Sequence, residues 1–172
     1  MQSQAHGWRE RLTGMHDESP KDLARVLGFA ATYLEERGRA RFSFGGGPGK
    51  PMCPVAAIAL ALGYRPWRVG WRNLFMVRSA AQNAVGLVIL RSGLLDRLPV
   101  PSTDGRRRKL RPARMSPFRA VRELARWNDD KAIDTIVISA LRDQARALRA
   151  SELLSASTSR AFSSGLRTVT RI

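Results

Sequence analysis

The stretch SPKDLARVLGFAATYLEERG, Ser19 to Gly38, specifies a helix together with both of its ends. Ser19 suits the N-cap, Pro20 the first helical position where its missing N–H costs nothing, and Asp22 stands three residues after the cap. Leu23, Val26, Leu27, Ala30, Tyr33 and Leu34 recur at helical spacing on one face, and Gly38 is a stop signal. A helix apolar along one stripe must bury that stripe against other elements.

Towards the C-terminus the pattern repeats. A Gly-rich loop, Phe44-Gly45-Gly46-Gly47-Pro48-Gly49-Lys50-Pro51, cannot continue the helix. Cys53-Pro54 then opens a short apolar helix that ends at Leu62 and Gly63. After an aromatic and arginine-rich connector, Tyr64 to Trp71, the residues Leu74, Val77, Ala80, Ala81, Ala84, Val85 and Val88 predict a third helix over 73–92. Ser116-Pro117 restarts a helix to about Trp127, and Asn128-Asp129 is read as the cap of a last helix lined by Ile133, Ile136, Val137, Ala140, Leu141 and Leu148. No run of strict apolar and polar alternation marks a strand. The expected fold class is therefore all-α, a single compact domain of about five helices with flexible N- and C-terminal ends. It divides into a loose arm over 1–18, a helical domain over 19–150 with an exposed basic linker at 99–115, and a disordered tail over 151–172.

Composition supports a folded body, since 44% of the 172 residues are hydrophobic. The formal net charge of +16, from 30 basic and 14 acidic residues, favours polyanionic partners. Only Lys21, Lys50, Lys109 and Lys131 are lysines among them, an arginine skew that G+C-rich coding alone also produces. A single cysteine, Cys53, excludes an internal disulfide framework and fits a reducing, cytoplasmic setting. Residues 1–10 lack the apolar core of a signal peptide, and the longest apolar stretch, Ala84 to Leu90, falls far short of the ~20 residues that span a bilayer, so no membrane is expected.

The Gly49-Lys50 loop fails as a P-loop, with Phe44 where glycine is required and Pro51 where a magnesium-binding hydroxyl is required. Cys53 heads a helix, where the N-terminal dipole favours a thiolate, and is the candidate nucleophile of a small hydrolase or transferase; a buried structural cysteine is the alternative. The two histidines, His6 and His16, both lie in the N-terminal arm. They make no zinc site with Cys53, and Asp129-Asp130 with Asp134 reads as helix-start acids rather than a chelate, so neither metal nor cofactor is expected. The strongest binding signal is Arg106-Arg107-Arg108-Lys109 with Arg111 and Arg114, six charges within nine residues, suited to salt-sensitive contact with DNA or RNA. Tyr64, Arg65, Trp67, Arg68, Trp71 and Arg72 offer base stacking or, equally, core anchors with snorkelling arginines.

Three motifs occur together in order: Tyr33-Leu34-Glu35-Glu36-Arg37-Gly38 at a helix end, Cys53 at the head of the Ala-rich helix Ala56-Ala57-Ile58-Ala59-Leu60, and Trp127-Asn128-Asp129 before the helix with Thr135, Val137, Ala140 and Leu141. In these the chain resembles an uncharacterised family of small proteins from actinobacteria and their phages, a likeness spanning about residues 20 to 150. The resemblance implies one helical domain and no assigned activity. It directs attention to the loop near Cys53 and to a polar site at Asn128 and Asp129. The expected function is that of a non-enzymatic binding or accessory protein contacting DNA or RNA through the basic linker. The alternatives are a Cys53-dependent enzyme and an interaction protein for an acidic protein partner.

Overall fold

The structure is a computed structural model that describes residues 19–41, 47, 49–66, 80–98, 115–129 and 134–165. Among the described residues six helices form a single all-α domain and no strand occurs. They are α1 (Pro20–Arg37), α2 (Pro54–Ala61), α3 (Ala80–Arg91), α4 (Leu94–Arg97), α5 (Pro117–Asp129) and α6 (Asp134–Gly165). The element beyond the five expected is α4, a single turn too short to show a period.

Helix α1 begins and ends where its caps require. Ser19 Oγ accepts the Asp22 N–H at 3.3 Å, and Gly38, at φ 83°, returns its N–H to the Leu34 carbonyl at 2.9 Å. Its buried face is Leu23, Ala24, Val26, Leu27, Ala30, Ala31 and Leu34, and it packs chiefly on α6 and secondarily on α2. Helix α2 is covered on all sides, with Pro54 to Ala59 buried, which is why its sequence is apolar without a polar stripe. Tyr64 and Gly63 close it by donating to the Ala59 and Leu60 carbonyls, the paired bonds of a Schellman motif at a residue, Gly63, held at φ 83°.

Helices α3 and α5 form the second extensive packing pair, and α2 lies against both. They come into tight contact at Gly86, where an added Cβ would stand 2.2 Å from the Pro117 carbonyl oxygen. The core runs through all the longer helices, with Leu27, Leu34, Met52, Ile58, Ile89, Leu94, Leu124 and Leu141 almost wholly buried.

Two boundaries differ from expectation. Met115, placed at the end of the exposed linker, is buried in the core, as is Leu98 before that segment. Helix α6 continues past Ser151 to Gly165, although 153–158 is exposed. Its packed N-terminal half supplies the costly nucleus and extension is cheap. The hydroxyls of Ser151, Ser155, Ser157 and Thr158 return to carbonyls three or four residues back instead of diverting the chain into turns.

Candidate functional site

Helix α1 hands the chain to an extended pair of residues, Arg39 and Ala40, that lie beside Met52 in an isolated parallel bridge. Ala40 donates to the Met52 carbonyl at 3.0 Å and Met52 to the Gly38 carbonyl at 3.3 Å, closing the Gly-rich loop at its base. Higher in the loop the Tyr33 hydroxyl accepts the Gly49 N–H at 3.1 Å and donates to the Lys50 carbonyl at 3.3 Å.

The C-terminal turn of α5 docks on this base. Asn128, almost wholly buried, accepts from Arg39 Nη1 through its Oδ1 at 3.1 Å and through its own carbonyl at 3.0 Å. Its Nδ2 donates to the Ala40 carbonyl and to Asp129 Oδ1, each at 3.1 Å. The amide thus uses both ends of its side chain, and a buried polar group so satisfied fixes one geometry. Trp127 beside it is buried, as a helix-end anchor should be. The expectation that Asn128 and Asp129 cap the last helix is corrected here. Both are the final residues of α5, and the Asn128 side chain points back across the fold to the base of the loop rather than forward to α6.

Cys53 adjoins the same junction as the N-cap of α2, its Sγ accepting the Ala56 N–H at 3.4 Å. Burial pushes its thiol up to about 12, outweighing the N–H groups of Ala56 and Val55 that favour a thiolate, and the Asp129 carboxylate pushes the same way. The helix N-terminus does favour ionisation, as the sequence suggests, but the loss of water is the larger effect. At neutral pH Cys53 is a protonated, buried thiol rather than a poised nucleophile. Cys53, Asn128 and Asp129 are brought to one junction, and Arg39 joins them. Nothing in the sequence distinguishes Arg39 from the other arginines, because its partner lies 89 positions away.

Arg106, Arg107, Arg108, Lys109, Arg111 and Arg114 lie outside the described residues, as do Trp67, Arg68, Trp71 and Arg72 of the aromatic connector. The linker runs directly into α5, whose outer face carries Arg119, Arg122 and Arg126, all exposed. Their spacing of three and four residues aligns them on one side of the helix, a signal legible in the sequence. Glu123 lies between them, 3.9 Å from Arg119 and 3.3 Å from Arg126. No group of three or more His, Cys, Asp or Glu side chains able to hold a metal occurs among the described residues, and none of the described helices is long and apolar enough to cross a membrane.

A family model described as a family of unknown function, DUF6197, matches residues 18–147, which contain α1 to α5 and the packed part of α6. The chain belongs to this family. The DUF6197 match contains both the junction at Asn128 and the whole basic segment, and it stops before the exposed extension of α6. No curated protein and no solved structure matches the chain.

Proposed function

We propose that this protein is a non-enzymatic, cytoplasmic binding protein for nucleic acid, contacted without sequence preference through Arg106, Arg107, Arg108, Lys109, Arg111 and Arg114. One observation carries the reading. Between Arg106 and Arg126 stand nine basic residues and a single acid, Glu123, so half of the chain's net charge of +16 lies in one short segment. A compositional excess of arginine would be spread along the chain; this one is concentrated in the sequence. Guanidinium groups gathered in this way displace counterions from a phosphate backbone, which makes affinity fall steeply with salt. The buried, protonated state of Cys53 removes the main support for a thiol enzyme.

The test is fluorescence anisotropy with duplex DNA, single-stranded DNA and RNA over a salt series, using purified protein and a variant with Arg106, Arg107, Arg108 and Lys109 changed to Ser. Binding by the wild type, with loss of affinity and of salt slope in the variant, is the expected result. If four phosphate contacts are lost, the slope for duplex DNA flattens by roughly 3 to 4, at about 0.9 per phosphate. Absence of binding at low salt refutes the reading and leaves an acidic protein as the partner the charge would serve.

A further inference from the structure

We infer that the outer face of α5 is a second contact surface for nucleic acid, that it takes the phosphate backbone of a duplex, and that Glu123 is a built-in competitor for that backbone. The inference rests on the nucleic-acid reading above and adds to it a second surface and a residue that sets its strength.

Arg119, Arg122 and Arg126 stand on one exposed side of α5, over about 10 Å of helix axis at 1.5 Å per residue. A duplex presents one phosphate charge per ~1.7 Å of its axis, so a rigid array of this length meets several phosphates at once. The helix is rigid because its opposite side is core. Ala120, Val121, Leu124, Trp127 and Asn128 are buried, and the last is bonded to the loop base. Single strands are held by exposed aromatic rings on which bases stack, and α5 offers no fully exposed ring: Trp127 is buried, and Phe118, one turn before Arg122, is only partly exposed. The face therefore suits a duplex backbone read by charge.

Glu123 gives the face its regulation. Its side chain is 20% exposed, while Arg119 and Arg126 over it are 63% and 65% exposed. It holds these two guanidiniums with a carboxylate in the position a phosphate oxygen would take. In the free protein the two arginines are splayed along the helix and partly neutralised. On binding, each exchanges an exposed carboxylate contact, weak in water, for a phosphate. Among the described residues Glu123 pairs with Arg119 and Arg126, and Arg122 is outside those two ion pairs.

Four proteins compared on short duplex DNA and on single strands of the same length over a salt series test this: the wild type, the linker variant above, R119Q/R122Q/R126Q, and E123Q. The expected result is that the triple variant keeps its linker contacts but loses about 2 to 3 from the salt slope, while E123Q binds about two- to five-fold tighter at low salt. Far-UV circular dichroism and thermal melting check that the exposed substitutions leave the fold intact. If the triple variant and E123Q both bind as the wild type does while the linker variant fails, α5 lies outside the interface and only the present inference falls. If the wild type itself does not bind duplex DNA, the nucleic-acid reading falls with it. A triple variant weakened equally on single strands and duplex overturns the duplex assignment.

Discussion

Replacing Asn128 by Ala removes a buried side chain that joins α5 to the base of the Gly-rich loop. Three hydrogen bonds go: from Arg39 at 3.1 Å, to the Ala40 carbonyl at 3.1 Å and to Asp129 at 3.1 Å. Arg39 retains the Asn128 backbone carbonyl at 3.0 Å, so the charged bond falls at the low end of its usual worth, about 1.5 kcal/mol. The Ala40 carbonyl loses its side-chain donor in a partly buried site, a further cost of about 1 to 2 kcal/mol. The total is about 3 kcal/mol, or a fall in melting temperature of roughly 6–12 °C for a domain of this size. Urea unfolding followed by circular dichroism measures it, and the midpoint should shift with the slope unchanged. The isosteric N128D sharpens the argument. It offers Arg39 a carboxylate but sets that charge against the Ala40 carbonyl and the Asp129 carboxylate, where the amide donated. If satisfaction of both ends of the amide is what matters, N128D is at least as destabilised as N128A. A loss below about 0.5 kcal/mol in N128A, or an N128D as stable as the wild type, refutes the reasoning.

Cys53 should resist alkylation at neutral pH in the native state and react only as the protein opens, which a timed thiol-labelling experiment in native and denaturing buffer checks. Because folding raises its pKa to about 12, the native state holds a proton that the unfolded chain releases near 8.5, so stability is full below that pH and falls by up to about 1.4 kcal/mol per unit as pH rises above it. Unfolding midpoints of wild type and C53A between neutral and alkaline pH should show the steeper decline in the wild type, and parallel curves would contradict the burial argument. G86A places a Cβ 2.2 Å from the Pro117 carbonyl oxygen, a backbone atom that cannot swing aside, and should cost about 3 kcal/mol or more by forcing α3 and α5 apart; a near-neutral thermal melt would show that the crossing yields easily.

Much of the fold is legible in the chain because it is written locally. Ser19, Pro20 and Gly38 delimit α1 by cap chemistry, and the buried residues of α1, and of α5 from Ala120 to Trp127, follow from helical spacing and the need to remove apolar surface from water. The concentration of charge between Arg106 and Arg126, with Arg119, Arg122 and Arg126 in helical register, is likewise a property of the linear sequence. What the tertiary structure decided depends on residues distant in the chain. Arg39 and Asn128 meet only because α1 and α5 dock on the same loop base, and neither carries a periodic signal of that meeting. Gly86 becomes a contact point only when Pro117 crosses it. The ionisation of Cys53 reverses for the same reason: the helix start that favours a thiolate is local, whereas the exclusion of water that opposes it is imposed by packing from the whole domain, and in the folded protein desolvation is the larger energy.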